Sequence, residues 1–231
     1  WFDGWWDHDS DSTAFDWELP YQYELVHRLQ PSCLIGNNHH QTPFEGEDIQ
    51  IFERDVPGEN KAGLSGQAIS RLPLETCQTM NGMWGYKVAD QNYKSATELI
   101  RLLVQTSGKG ANLLLNIGPQ PDGTLPETAL SRLSEIGQWL SSNGEAIYGT
   151  TSGGYTDPEK IVTTRKGDKL YIHIIDESVE HLEIPLEEKV KSVISFADHT
   201  PLQHKMRDGK LTLDVTVPAN TPDYIIEVTL L

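Results

Sequence analysis

Hydrophobic positions along the first 150 residues recur with helix and strand spacing in alternation. Residues 21–30 place Leu25, Val26 and Leu29 on one face of a helix that Pro31 ends. Cys33-Leu34-Ile35-Gly36 is a short apolar run and reads as a buried strand. A polar stretch bearing Gly and Pro follows over 37–71, and a loop of that length inside a compact domain points to function. Residues 74–80 read as the next strand. Ser95-Ala96-Thr97-Glu98 is a capping box that opens a helix carrying Leu99, Ile100, Leu102, Leu103 and Val104. Residues 111–116 form a strongly apolar strand. Pro126 then starts a helix with Leu130, Leu133, Gly137 and Leu140 on one stripe, closed by Gly144.

Such alternation predicts an α/β fold, either a parallel sheet or a β/α barrel. Three predicted strands end in polar residues: Asp3, then Asn37-Asn38-His39-His40, then Asn116. Several strand ends converging on one pocket favour the barrel. The pattern changes near Thr150. Thr151-Ser152-Gly153-Gly154 reads as a linker, and short alternating runs follow at 170–174, 182–184, 190–196, 211–217 and 224–230. Gly and Asp mark the turns between them, as at Arg207-Asp208-Gly209-Lys210. The expected organisation is therefore residues 1–150 as the C-terminal part of a (β/α)8-like barrel, and residues 151–231 as an all-β sandwich.

The net charge of −16 argues against nucleic acid as a partner, since phosphate contacts need Lys and Arg. No apolar run approaches the roughly 18 residues of a membrane-spanning helix. Cys33 and Cys77 each fall in a predicted strand and read as unpaired core thiols. The first residues, Trp1-Phe2-Asp3-Gly4, read as the end of a buried strand, so the first part of a domain is expected to lie outside this chain.

Four groups carry candidate chemistry. Asp3 is flanked by Trp1, Phe2, Trp5 and Trp6, and a carboxylate among aromatics is costly unless it is paired or used. The long loop holds Glu45, Glu47, Asp48, Glu53, Asp55 and Glu59, which read either as a solvated acidic face or as a source of the carboxyl pair a glycosidase needs. Asn38-His39-His40 suits hydrogen bonds to sugar hydroxyls better than metal, because no HExxH or CxxC partner is present. Met83-Trp84-Gly85-Tyr86 reads equally as core or as pocket wall. Gly108-Lys109-Gly110 lacks the spacing of a phosphate loop.

Taken together, several segments resemble the family 29 glycoside hydrolases, the α-L-fucosidases. Residues 108–119, Gly-Lys-Gly-Ala-Asn-Leu-Leu-Leu-Asn-Ile-Gly-Pro, followed by Asp122-Gly123, are similar to that family's GGNxLLNxGP…DG signature. Gly137-x-Trp139-Leu140-x-x-Asn143-Gly144-Glu145-Ala146-Ile147-Tyr148-Gly149 resembles its GxWLxxNGEAIYGT tail. Glu75, Cys77 and Trp84-Gly85-Tyr86 resemble its WExC…SWGY segment. The resemblance covers residues 1 to about 150 and implies a barrel followed by a β-sandwich.

Carried over by position, the resemblance makes Asp3 the nucleophile of a retaining α-L-fucosidase and Trp1 an aromatic contact for the fucose. Asp48-Ile49-Gln50-Ile51-Phe52-Glu53, with Pro57-Gly58 after it, is similar to the segment bearing the acid/base. Glu53 is therefore the expected acid/base, with Glu47 and Glu75 in reserve. Asn38, His39 and Trp84 are the expected sugar contacts. Where many members carry Arg after Asn-Asp, this chain has Asn38-His39. No metal and no cofactor is implied. The expected partner is a fucosylated oligosaccharide or glycoconjugate, with no nucleic acid and no membrane. A second chain or segment is expected to supply the N-terminal half of the barrel, and the family's usual setting implies a periplasmic, extracellular or lysosomal location. A carbohydrate-binding protein without turnover, and a retaining glycosidase for another sugar, are the alternative readings.

Overall fold

The structure, a computed structural model, describes residues 16–231. The chain divides into two compact units, Trp1–Gln78 and Thr79–Leu231.

In the first unit, helix α1 (Leu19–Leu29) begins with Pro20 in its first turn, where the missing N–H costs nothing, and carries His27 and Arg28 in its last. Strand β1 (Gly36–Asn37) is shorter than the apolar run predicts. The Asp48 carboxylate accepts the Ile35 amide at 2.8 Å, so ladder pairing begins only at Gly36. Cys33 is half-buried and Leu34 is 67% exposed, which corrects the expectation of a buried strand there. Strand β2 (Ile49–Glu53) lies inside the stretch expected to be a loop. It pairs in parallel with β1 and with β3 (Leu74–Thr79). Side chains alternate between faces, and the register sets Ile51 beside Glu75 and Glu53 beside Cys77. Glu53, Glu75 and Cys77 therefore share one face. The residues between them, Gln50, Phe52, Thr76 and Gln78, are buried on the other.

In the second unit, helix α2 (Ala96–Gly108) starts with the predicted capping box: Ser95 takes the Glu98 amide, and the Glu98 carboxylate takes the Ser95 amide. Strand β4 (Ala111–Asn116) falls where its sequence predicts. Helix α3 (Glu127–Asn143) follows Pro126, but the face it buries differs from the expected stripe. Ala129 and Ile136 are buried, Trp139 and Leu140 pack on the same cluster, and Leu130 and Leu133 are exposed. Gly144 is not a left-handed cap. Its φ is −61°, and a Cβ there would meet the Tyr148 ring at 2.8 Å.

The all-β part contains two antiparallel sheets. Five strands run in the order β5 (Thr151–Asp157), β6 (Ile161–Lys166), β7 (Lys169–Ile174), β12 (Tyr224–Leu230), β9 (Val190–Ser195). Three more run β10 (Lys205–Arg207), β11 (Lys210–Asp214), β8 (His181–Pro185). The expected linker at Thr151-Ser152-Gly153-Gly154 is instead the start of β5. Its pairing with β6 is irregular between Ser152 and Thr156. A Cβ on Gly153 would meet the Thr163 side chain at 2.6 Å, so the irregularity needs glycine.

Strand β7 is buried on both sides. Leu170, Ile172 and Ile174 pack with Leu182, Ile184, Leu211 and Leu213 of the smaller sheet. On its other face Tyr171 joins a cluster that Trp139 of α3 completes. Helix α2 lies close against β6: a Cβ on Gly108 would stand 2.0 Å from Val162 Cγ1. The larger sheet is thus the middle of three layers.

Within that layer, His173 Nδ1 lies 2.7 Å from Asp223 Oδ2 and its Nε2 lies 3.0 Å from Thr164 Oγ1. Thr164 gives its only hydroxyl hydrogen to the Ala146 carbonyl at 2.7 Å, so Nε2 must donate to Thr164. One proton then lies between Nδ1 and Oδ2. The dyad is jointly neutral, whether written as imidazolium–carboxylate or as imidazole–carboxylic acid. Both side chains are fully buried. Removing one partner leaves the other unsatisfied, so His173→Ala is expected to cost about 3–5 kcal/mol, read as a lower denaturant midpoint with an unchanged slope.

Candidate active site

Polar side chains gather where the parallel strands of the first unit end. Glu53 is the last residue of β2, and its Oε2 accepts two groups from the segment after β1. Asn38 Nδ2 donates at 2.7 Å, and His40 Nε2 stands at 3.2 Å. Among the described residues Glu53 Oε1 has no hydrogen-bond partner. Asn38 is 5% exposed, and its Oδ1 is buried without a partner among the described residues. His40 and Arg54 both have positive φ, 59° and 65°. Non-glycine residues in that region are uncommon and concentrate at functional sites. Here they redirect the chain on either side of the Asn38–Glu53 contact.

His39 points elsewhere and is 3% exposed. Its Nδ1 accepts the Gln41 amide at 3.1 Å, so that nitrogen carries no proton and Nε2 is the donor. Nε2 donates to Glu47, with Oε1 at 3.1 Å and Oε2 at 3.3 Å. Tyr23 Oη of α1 donates to Oε1 at 2.9 Å, and the Phe44 amide to Oε2 at 3.0 Å. Burial pushes the Glu47 carboxyl up, but the bonds from His39, the Phe44 amide and Tyr23 outweigh it and hold the group below its ordinary value of 4.5. Glu47 is therefore a saturated acceptor with no proton to donate. Asp48 is also held low, chiefly by the Ile35 amide, which acts against burial, and then by His27.

Glu75 lies two residues before Cys77 on the face that Glu53 shares, and burial raises its carboxyl. Burial, with the charges of Glu53 and Glu75, also pushes the Cys77 thiol up to about 12, so it is no nucleophile at neutral pH. Two carboxyls thus share this face. Glu75 has the upward shift of a proton donor, whereas Glu53 has the strand-end position where α/β enzymes set their chemistry. Burial is the cause of the shift at Glu75.

Asp3 and Trp1 lie outside the described residues. Trp84 belongs to the second unit, where its carbonyl accepts Asn116 Nδ2 at 2.7 Å. Asn116 is the polar end of β4 and also reaches Thr79 Oγ1 at 3.3 Å. Gly118 passes so near this segment that a Cβ would meet Tyr86 N at 2.5 Å, which accounts for glycine in the Asn-Ile-Gly-Pro run. Sequence reading alone did not single out Tyr23, or His40 apart from its neighbours. The exposed spacing of α1 gave no hint that Tyr23 would reach a carboxylate 24 residues away.

The Glu47 cluster has a measurable signature. A carboxyl whose folded value lies below 4.5 contributes stability that is complete above that pH and is lost as pH falls through the folded value. Glu47→Gln is expected to lower stability by about 2 kcal/mol at pH 7, with the difference shrinking below pH 4.5. Denaturation curves of both proteins across that range check this.

The α-L-fucosidase family model matches residues 1–145. Human plasma α-L-fucosidase is 38% identical over 185 residues, which are 66% of this chain and 40% of that protein. An α-L-fucosidase of Dictyostelium discoideum is 47% identical over 79 residues, 33% of this chain and 17% of its own length. Among solved structures, α-L-fucosidase isoenzyme 1 from Paenibacillus thiaminolyticus superposes with a TM-score of 0.77 at 30% identity, covering 96% of this chain and 55% of that one. The chain therefore spans about half, or less, of the relatives it matches. With the strand-end cluster lying inside the matched segment, the chain belongs to the α-L-fucosidase family.

Proposed function

We propose that this chain is part of a retaining α-L-fucosidase that removes terminal α-L-fucose from glycans by double displacement. The observation that carries the reading is the convergence of Asn38 and His40 on one oxygen of Glu53, at a strand end within the family-matched segment. An acid/base must keep one oxygen oriented and the other available for proton transfer. Glu53 meets both needs, with Oε2 held and Oε1 without a partner among the described residues. Glu47, saturated with donors, does not.

In this reading residues 1–150 are the C-terminal part of a (β/α)8-like barrel, residues 151–231 are a β-sandwich, and further barrel strands complete the pocket. Asp3 attacks C1 of the fucose and forms the glycosyl-enzyme, while Glu53 protonates the departing oxygen. Glu53 then takes a proton from the water that releases fucose, and the configuration at C1 is retained. Retention requires the two carboxyls about 5–5.5 Å apart, against about 6.5–9.5 Å for inversion. Neither step calls for a metal or a cofactor. Trp1 and Trp84 supply apolar faces to the sugar, on the strength of the family resemblance. Asn38 sets Glu53. His39 contributes by holding Glu47 and the turn that follows.

Acid catalysis matters most when the leaving group is poor. Glu53→Gln is expected to reduce kcat/KM on methyl α-L-fucoside by about 10²–10⁴-fold, and far less on α-L-fucosyl fluoride, whose fluoride leaves without protonation. Asp3→Gly is expected to be inactive alone and to form fucosyl azide when azide is added. Equal losses on both substrates would remove Glu53 from the acid/base role, and no azide product would remove Asp3 from the nucleophile role.

A further inference from the structure

The second unit holds a cavity of about 480 Å³ that shares no residue with the Glu53 cluster. Three segments wall it. Helix α3 supplies Trp139 and Asn143 near its end, and the turn after β9 supplies Asp198 and Thr200. The stretch leading into β12 supplies Thr216, Thr221, Asp223 and Tyr224. Each wall is fixed from behind. Trp139 packs on the cluster of Tyr171 and Phe196. The β9 turn is closed by the Ser195 amide on the Thr200 carbonyl and the His199 amide on the Ser195 carbonyl, both at 2.9 Å. On the third wall the Asn220 amide donates to Glu177 at 2.9 Å, and Arg101 Nε donates to the Pro222 carbonyl at 3.0 Å. His199 and Asn220 both have positive φ, 59° and 60°, so each turn is held in a conformation that non-glycine residues rarely take. A preformed cavity loses little freedom on binding.

Polar atoms on these walls are left over. Asp223 gives Oδ2 to His173, and its Oδ1 is buried with no partner among the described residues. An unmet buried acceptor is costly, and a ligand can supply the donor. Asn143 spends its Nδ2 on the Trp139 carbonyl, and its Oδ1 has no partner among the described residues. The Thr216 and Thr221 hydroxyls have none there either. Asp198 is engaged: the Ser195 hydroxyl and then the Thr200 amide hold its carboxyl below the usual value.

We propose that this cavity is a second glycan site, on the sandwich, and that it takes a neutral sugar ring. The proposal does not rest on the fucosidase reading, because it uses no residue of that site. Among the described residues no Lys, Arg or His lines the cavity, so nothing balances an anionic ligand. A cation gains little, since the Asp223–His173 dyad is jointly neutral and Asp198 already has its donors. A pyranose matches what remains. Its hydroxyls donate to the Asp223 and Asn143 oxygens and pair with the two threonines, while its C–H faces lie on Trp139, Tyr224 and the flanking Pro218. The volume falls within the roughly 300–1,000 Å³ of small-molecule sites.

The test is a titration of the full-length, ¹⁵N-labelled protein with galactose, N-acetylglucosamine and lactose, followed by amide NMR. Shifts are expected at Asp198, Thr200, Thr221 and Tyr224 with at least one of these sugars. Thr216→Trp, which fills the cavity, is expected to abolish them, and Thr221→Trp serves if that variant does not fold. No shift at these amides with any of the three sugars overturns the site. Shifts that persist in the filled variant overturn it as well, and shifts produced by butylammonium but by none of the sugars overturn the sugar assignment. Hydrolysis of methyl α-L-fucoside by the wild-type protein reports on the fucosidase reading separately.

Discussion

The first unit depends on one buried carboxylate. Glu47 receives a tyrosine hydroxyl from α1, an imidazole N–H from the segment after β1, and a backbone amide from the turn before itself. These three segments are otherwise joined by short connections and a two-residue strand, which would not hold them by ladder bonds alone. A charge this deeply buried is tolerable only with its lone pairs satisfied, and here they are. The satisfied acceptor in turn fixes the tautomer of His39. That ring stacks on Phe44, and the chain on either side of His39 delivers Asn38 and His40 to Glu53. Catalytic geometry in the proposed enzyme is therefore downstream of a residue that takes no part in the chemistry.

Local signals along the chain were the readable ones. The Ser95–Glu98 capping box, the apolar run 111–116 and the alternating runs at 170–174, 182–184, 190–196 and 224–230 appear where their spacing puts them, because each records a short-range physical demand, whereas the run at 211–217 is strand only to Asp214. Strand β2 was hidden. Its Gln50 is buried through long-range bonds to Ala68 and Ser70, so a polar residue sits at a core position and breaks the apolar pattern. The stripe on α3 was misread for a related reason. Which leucines are covered depends on the neighbouring layers, not on helical period alone, and Leu130 and Leu133 face out.

At the site, the resemblance of residues 48–53 to the family's acid/base segment pointed to Glu53, which is the last residue of β2. The division of labour between Glu47 and Glu53 was not readable. Both are glutamates in one acidic stretch, and the donors around them, Tyr23, His39 and the Phe44 amide for one, Asn38 and His40 for the other, separate a carboxylate with both oxygens held from one whose Oε1 has no partner among the described residues. The side-chain donors come from positions 8 to 24 residues away, beyond any local pattern.

Gly108 has a consequence for how the second unit can change over time. Because α2 ends so tightly on β6 that not one extra methyl fits beside Val162, the sandwich is fastened to the helical layer rather than tethered by a hinge. Arg101 and Gln105 add bonds from the same helix to the carbonyls of Pro222 and Pro158. Such a joint resists domain exchange. A sandwich borrowed from another protein would need a matching hollow at this spot, so helix and sandwich are expected to diverge in evolution as a single inherited block.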